Sequence, residues 1–390
     1  MPSGHDSKEN RYWRGRARRT TIEAIDPRGS DFVLVTDIHT HYVPRGWPSL
    51  PGGPDAARLR VDGPDRATIM LGAHEFRRIT DAAWQAETRL ADMDASGVDR
   101  QVISPTPVFF GYESTPSDAA TIAAIFNDLA LEISAAAPDR LLPFCQVPLQ
   151  DTDAACRELE RSVANGHRGV EIGNHIGDRD LDDAGVITFL QHCAALGVPV
   201  FVHPWDMPGG PRLDRWMAQW LVGMPAETHL SILALILGGG FDRLGTDLRI
   251  CFAHGGGSFA YWLGRMDNAW HRRNDVVGTS EHPPSHYVGR FAVDSVVFDH
   301  KALHLLVDTL GADNVMLGSD YPYPLGEETP GTLIRTSGLT ATQQRQVLAG
   351  NAARYLGELR QVPSAGTDTV DRTVTTAATE PVPAGSGSHS

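Results

Sequence analysis

The stretch DIHTHYVP, from Asp37 to Pro44, closes an apolar run, FVLV. His39 and His41 stand two residues apart at the end of what reads as a strand. In an extended chain, residues i and i+2 share a face, so both imidazoles can point the same way. Neutral imidazoles with a carboxylate suit zinc, and also iron or manganese. Three more residues can complete such a site: His203 in PVFVHPW, His254 in LRICFAHGG and Asp320 in NVMLGSDYP. Singly, each has an ordinary explanation, as a locally bonded strand-end histidine or an aspartate that opens a turn. Together, four histidines and one aspartate at the ends of apolar runs point to one chemistry. A divalent metal held by three imidazoles and a carboxylate can lower the pKa of a bound water to about 7. One of the five is then free to serve that water. His254 is the best placed, because the glycines after it leave room for substrate and close backbone approach. The other reading makes His254 a fifth ligand. Asp37 either orients a histidine or holds the first strand in place.

Eight β-rich runs must position these residues. They begin at Phe32, Arg100, Leu141, Gly169, Pro199, Leu248, Phe291 and Asn314. Helix signals lie between them. AWQAETRLADMDASG is helix-like, Thr115-Pro116-Ser117 opens AATIAAIFNDLALEIS, and Asp151-Thr152 opens a helix toward Asn165-Gly166. Ser258 opens FAYWLGRMDNAWHRR. Strands alternating with helices imply parallel pairing. The expected fold is α/β, a (β/α)8 barrel, in which functional residues gather at the C-terminal strand ends. An open doubly wound sheet is the competing architecture. It loses ground because no Gly-rich phosphate fingerprint follows any strand. The Pro- and Gly-rich segment after His41 is long for a strand-to-helix loop and predicts a small inserted subdomain over 44–80. The stretch from Pro208 to Gly240 is expected to decorate the same face.

The chain has 390 residues, 41% of them hydrophobic, enough for a large core. Its formal net charge of −14 argues against non-specific nucleic-acid binding. An anionic substrate would then need local positive charge. Cys145, Cys156, Cys193 and Cys251 lie in separate apolar segments and read as buried free thiols of a cytoplasmic protein. Residues 1–30 read as a disordered basic leader, 31–360 as the barrel and 361–390 as a disordered polar tail. Arg18-Arg19 lacks the apolar region of a twin-arginine signal. The apolar window from Leu230 to Phe241 is too short to span a bilayer, so no membrane association is expected. His192, His229, His271 and His304 fall in helix-like stretches and receive no role at the site.

HPWDM from His203, WLVGMPAET from Trp220, CFAHGGGSFAYWLGR from Cys251 and MLGSDYPYPLGE from Met316 occur in that order. They resemble the metal-dependent amidohydrolase superfamily and, within it, the α-amino-β-carboxymuconate-ε-semialdehyde decarboxylase family. The resemblance runs from about Asp31 to Leu359. It implies a zinc enzyme with one ion per subunit and no organic cofactor, held by His39, His41, His203 and Asp320. It makes His254 the base of the metal's water, Arg77 a ligand for a substrate carboxylate, and Arg265 an arginine reaching across a homodimer interface. Trp220, with Trp216 nearby, falls in the region that lines the substrate pocket. The implied reaction is non-oxidative loss of CO2 from 2-amino-3-carboxymuconate 6-semialdehyde, in tryptophan or 3-hydroxyanthranilate catabolism. Decarboxylation of an aromatic acid, and hydrolysis of a lactone or amide, are the alternatives. The fourth strand, GVEIGNH, has no lysine to bridge two metals, and Glu171 and His175 there receive structural roles. This chain departs from the family pattern at Tyr323, where close members often carry Phe, and lacks a lysine seen in some members before Val61-Asp62-Gly63.

Overall fold

The computed structural model describes residues 34–358, apart from 46–49, 52–55, 274 and 276. The proposed leader and tail lie outside the described residues. The first strand, β1 (Thr36–Tyr42), is followed by three strands that belong to a separate sheet: β2 (Ala57–Val61), β3 (Arg66–Leu71) and β4 (His74–Thr80). Helix α1 (Ala86–Ser96) then returns the chain to the barrel strands β5 (Arg100–Pro105), β6 (Leu141–Cys145) and β7 (Gly169–Gly173). A small ribbon, β8 (His175–Ile176) and β9 (Arg179–Asp180), precedes β10 (Val200–His203), β11 (Ile250–Phe252), β12 (Ala292–Asp294) and β13 (Val315–Met316). The large sheet has the order β1-β5-β6-β7-β10-β11-β12-β13, every pair parallel. Backbone bonds from Ile38 N to Leu317 O (2.9 Å) and from His41 N to Tyr321 O (2.7 Å) join its last strand to its first and close the barrel.

The crossovers are helical, and the sequence marks where several start. Thr115 accepts from Asp118 N ahead of α2 (Pro116–Ser134), with Pro116 at the first helical position. Asp151 accepts from Ala154 N ahead of α3 (Thr152–Ala164), and Asp183 caps α4 (Ala184–Leu196). Further helices are α5 (Met224–Leu237), the short α6 (Gly240–Arg243), α7 (Phe259–Arg272) and α8 (His300–Leu310). Ser258 precedes α7 without capping it; its hydroxyl instead pairs with His229 Nδ1 at 2.9 Å. Three short helices, α9 (Thr332–Thr336), α10 (Ala341–Arg345) and α11 (Asn351–Tyr355), end the described chain.

Two apolar clusters build the core. One fills the barrel itself with Ile38, Val102, Leu142, Phe144, Phe201, Cys251 and Met316, closed by Tyr355 and Leu356. The larger one lies between the strands and the helices. Burying each of these large side chains contributes about 1.5–3 kcal/mol. Three of the four cysteines are buried and Cys156 is half-buried; all four are free.

The segment after β1 forms a three-stranded antiparallel sheet, β2-β3-β4. Arg45 fastens it to the barrel by donating to Pro64 O and Gly63 O. Helix α5 corrects the reading of the Leu230 window. A π-turn over Gln219–Gly223 continues directly into α5, giving 19 helical residues of mean hydropathy 1.5, long and apolar enough to cross a membrane by length and composition. Ile232, Leu235 and Ile236 nevertheless pack into the core, and Glu227 accepts from Asn174 of the barrel at 2.8 Å. Such a helix is also what one layer of a barrel looks like. Its outward residues Leu221, Val222 and Leu230 are exposed.

Candidate active site

Strand β1 carries a bulge between Asp37 and Thr40, within which His39 lies, and His39 and His41 both enter the barrel mouth. Their Nε2 atoms lie 3.1 Å apart. Asp320 Oδ1 lies 3.2 Å from His41 Nε2 and 3.6 Å from His39 Nε2. His203 ends β10, and one ligand atom from each of His39, His41, His203 and Asp320 lies within 4.8 Å of all the others. Donors about 2.0–2.1 Å from a tetrahedral ion stand about 3.3 Å apart, so these spacings suit a common ion.

The opposite edges of the three imidazoles are engaged. His39 Nδ1 donates to Asp294 Oδ2 at 2.6 Å, His203 Nδ1 to Pro204 O at 2.7 Å, and His41 Nδ1 faces Pro105 O at 3.3 Å. Each acceptor fixes the proton on Nδ1 and leaves the Nε2 lone pair for a ligand. His203 Nε2 is buried with no partner at all. Burial pushes His41 down to about 4, and pushes His203 well down too, where the neighbouring imidazoles add to the effect. Both are therefore neutral, as metal ligands must be. Burial alone would raise Asp320, but the imidazoles of His254, His41 and His39 beside it outweigh that and hold the carboxylate well below its ordinary range. The residues present fit a divalent metal with an N3O donor set.

His254 stands at the edge of this group, with Nε2 3.9 Å from Asp320 Oδ2 and Nδ1 buried and unpartnered. Burial lowers its affinity for a proton, but the Asp320 carboxylate outweighs that and raises it. His254 (φ 55°) and Asp320 (φ 60°) both adopt the left-handed region, unusual outside glycine and a form of strain that collects at functional sites. The glycines after His254 serve packing more than substrate. Gly255 N donates to Asp294 Oδ1 at 2.8 Å, and a Cβ on Gly257 would fall 2.0 Å from Pro225 O.

The residue that sequence reasoning missed is Asp294, at the end of β12. It accepts from His39 Nδ1, from the backbone N–H of His254 and Gly255, and from Val296 N. One buried carboxylate thus orients a cluster histidine and the loop carrying His254. Its signal was available: an aspartate at a C-terminal strand end, in FAVDS. Gly318 permits the arrangement, since a Cβ there would meet Asp294 Cβ at 2.8 Å and His39 Cβ at 2.9 Å. Asp37, by contrast, orients no imidazole. It accepts from His39 N and the Ser319 hydroxyl, holding β1 against the Asp320 turn.

Arg77 projects from β4 of the small sheet. Its guanidinium lies 4.3 Å over the Tyr323 ring, and that ring is 5.5 Å from His41. Trp220 packs 6.3 Å from Phe76, the neighbour of Arg77, whereas Trp216 is 74% exposed. Arg265 is exposed on α7, where it lines a groove of about 680 Å³ between α5 and α7, away from its own chain's cluster. His175 bonds to Gly177 O, and both oxygens of Glu171 lie buried without a hydrogen bond, 3.9 Å below His41 Nδ1.

The Amidohydrolase family model matches residues 36–357, nearly the whole described chain. The chain belongs to the amidohydrolase family. Among its relatives, this amidohydrolase is 38% identical over 330 residues to a 2-amino-3-carboxymuconate-6-semialdehyde decarboxylase of Dictyostelium discoideum, covering 83% of this chain and 92% of that protein. A protein of the same name from Caenorhabditis elegans is 31% identical, covering 82% and 93%. Among solved structures, a 5-carboxyvanillate decarboxylase of Novosphingobium aromaticivorans, complexed with manganese, superposes with a TM-score of 0.64. The two are 25% identical, over 71% of this chain and 82% of that one.

Proposed function

We propose that this amidohydrolase is a zinc-dependent decarboxylase of 2-amino-3-carboxymuconate 6-semialdehyde, releasing CO2 and 2-aminomuconate 6-semialdehyde. The observation that carries the substrate is Arg77: a cation beside the metal cluster whose neighbouring acids are taken. Asp62 and Glu75 of the same sheet pair with Arg60 and Arg78. A guanidinium fork matches a carboxylate bidentately, so Arg77 can hold one carboxylate of a dicarboxylate while the other faces the cluster. The relatives' shared name supports the same substrate.

His39, His41, His203 and Asp320 would hold the ion, which supplies Lewis-acid polarisation at the substrate. Loss of CO2 breaks one carbon–carbon bond, leaves its electron pair on carbon and requires one proton there. No oxidant or organic cofactor is needed. His254 would supply that proton: the Asp320 carboxylate raises its affinity for one, which suits delivery to that carbon. Phe76 and Trp220, whose rings lie 6.3 Å apart, would place apolar surface beside the substrate held by Arg77.

The active form in this reading is a homodimer. Trp216, Met217, Leu221, Val222, Leu230, Tyr261 and Trp262 form an exposed apolar group on α5, α7 and the loop before them, and Arg265 stands among them. Covered by a second copy, that face brings Arg265 to the partner's substrate. A role in tryptophan or 3-hydroxyanthranilate catabolism and a cytoplasmic location complete the reading. The decisive experiment is decarboxylation of the semialdehyde by purified zinc-loaded protein without O2, followed by near-ultraviolet absorbance, with metal analysis of the same sample. Decay at the spontaneous rate sinks the assignment. The second reading, decarboxylation of a phenolic acid, is favoured by the likeness to the 5-carboxyvanillate enzyme; it predicts turnover of such acids that survives Arg77→Ala.

A further inference from the structure

Tyr323 carries a hydroxyl at a position where the resemblance leads one to expect Phe, and the structure shows what that hydroxyl touches. Thr106 Oγ1 donates to Tyr42 O at 3.0 Å, so its proton is committed. The contact of 2.5 Å between Tyr323 Oη and Thr106 Oγ1 therefore has Tyr323 as donor. This row of bonds, Tyr323 to Thr106 to the carbonyl beside His41, pins the far end of the tyrosine ring to the barrel. Both side chains are buried. The face of the same ring is the platform on which the Arg77 guanidinium rests, 4.3 Å from its centroid. Burial pushes the phenol up to about 12 against the pull of the Arg77 guanidinium, which also reaches the hydroxyl, so it stays neutral and keeps the proton that makes the bond to Thr106.

Arg77 itself needs such a platform. It hangs from β4, in a sheet outside the barrel, and a long side chain of this kind has much rotamer entropy to lose. Its acid neighbours are engaged elsewhere. The other ring it approaches, Phe76, lies 5.3 Å away on its own strand and moves with it. Among the described residues, Tyr323 is the barrel residue whose ring the arginine rests on, and that ring lies 5.5 Å from His41.

We propose that Tyr323, anchored by Thr106, is a positioning residue that fixes Arg77 toward the metal cluster and thereby sets the preference for substrates with a second carboxylate. The inference rests on the reading of Arg77 as a carboxylate-binding residue. It predicts that the hydroxyl matters for dianions and not for monoanions of the same length.

The test is calorimetric binding of trans,trans-muconate, a six-carbon dicarboxylate, and of sorbate, its monocarboxylate counterpart of the same double-bond geometry, to the zinc-loaded full-length protein. Tyr323→Phe is expected to weaken muconate about fivefold and to change sorbate by less than about twofold, the scale of one hydrogen bond. Thr106→Val should give the same pattern and Thr106→Ser should restore it. In an Arg77→Ala background, Tyr323→Phe should cost muconate nothing further. Equal weakening of both probes, no weakening of either, or an undiminished loss in the Arg77→Ala background overturns the inference. If Arg77→Ala leaves muconate binding untouched, the reading of Arg77 fails first, and that outcome is separate from a failure of Tyr323 alone.

Discussion

The two ends of the barrel handle charge in opposite ways. At the N-terminal ends of the strands, arginines grip the last helix and the residue Glu358 just past it. Arg100, the first residue of β5, holds Glu358 bidentately at 2.7 and 2.9 Å, and Arg168 approaches the same carboxylate at 3.6 Å. Arg249, just before β11, donates to Arg354 O at 3.3 Å and to Gly197 O. Charge and partner are matched, and the end is closed. At the C-terminal ends, imidazoles and carboxylates converge, and His203 Nε2 and His254 Nδ1 remain buried without partners. Buried polar atoms without a partner also occur at the closed end, at Tyr355 Oη and His167 Nε2, but only at the C-terminal end do ligand-type atoms of four side chains, among the described residues, converge on one point. The closed end is the one that stabilises.

Substitutions can break or sharpen that contrast. The largest effect is expected from His203→Ala, which should abolish decarboxylation and take metal content from about one ion per chain to near none, while far-ultraviolet circular dichroism stays native. Retained metal would remove His203 from the ligand set. Next comes Asp294→Asn. Weakening the acceptor for His39 Nδ1 should lower metal affinity about 10- to 100-fold, read by competition with a chelator. At the opposite end, Arg100→Met should cost about 1–3 kcal/mol of stability, seen as a lower Tm, with kcat/KM per folded molecule unchanged. A loss of activity in folded Arg100→Met protein comparable to that of Asp294→Asn would erase the division between the ends.

The smallest effect concerns Glu171, one layer below the cluster. Burial, with the Asp320 charge adding to it, raises its carboxyl well above the ordinary glutamate range. A carboxyl raised in the folded state stabilises fully below its unfolded pKa, and that contribution is lost as pH climbs toward the folded value. Glu171→Gln cannot ionise. Its Tm relative to the parent should therefore rise as pH increases from about 5. A flat difference between pH 5 and 9 would mean that Glu171 is charged and that a cation or donor sits beside it.

Strand ends were the most legible part of the sequence, because a closed parallel barrel forces long apolar runs and puts polar residues only where they stop. His39, His41, His203 and Asp320 could be found by that rule. Asp294 obeys it equally and was missed because a lone aspartate before a serine also looks like a turn. The room beside His254 was misjudged for a different reason: three glycines show that something approaches closely, without showing that it is Pro225 of α5 and not a substrate. The length of α5 was hidden because Glu227 and His229 interrupt the apolar run, and Pro225 reads as a first helical residue while the π-turn before it carries the helix back to Gln219. The small sheet was readable only as an insertion, since its strands are short and mixed in polarity.

That sheet has a bearing on how the protein could change over time. The residues that gather at the barrel mouth are locked into the strands that make the fold, so altering them risks everything at once. Arg77 belongs to a separate three-stranded piece, joined to the barrel at its two ends and through contacts such as Arg45 with Gly63 and Pro64. Lineages can therefore swap, lengthen or retune this piece and acquire a new taste in acids while inheriting the reaction intact.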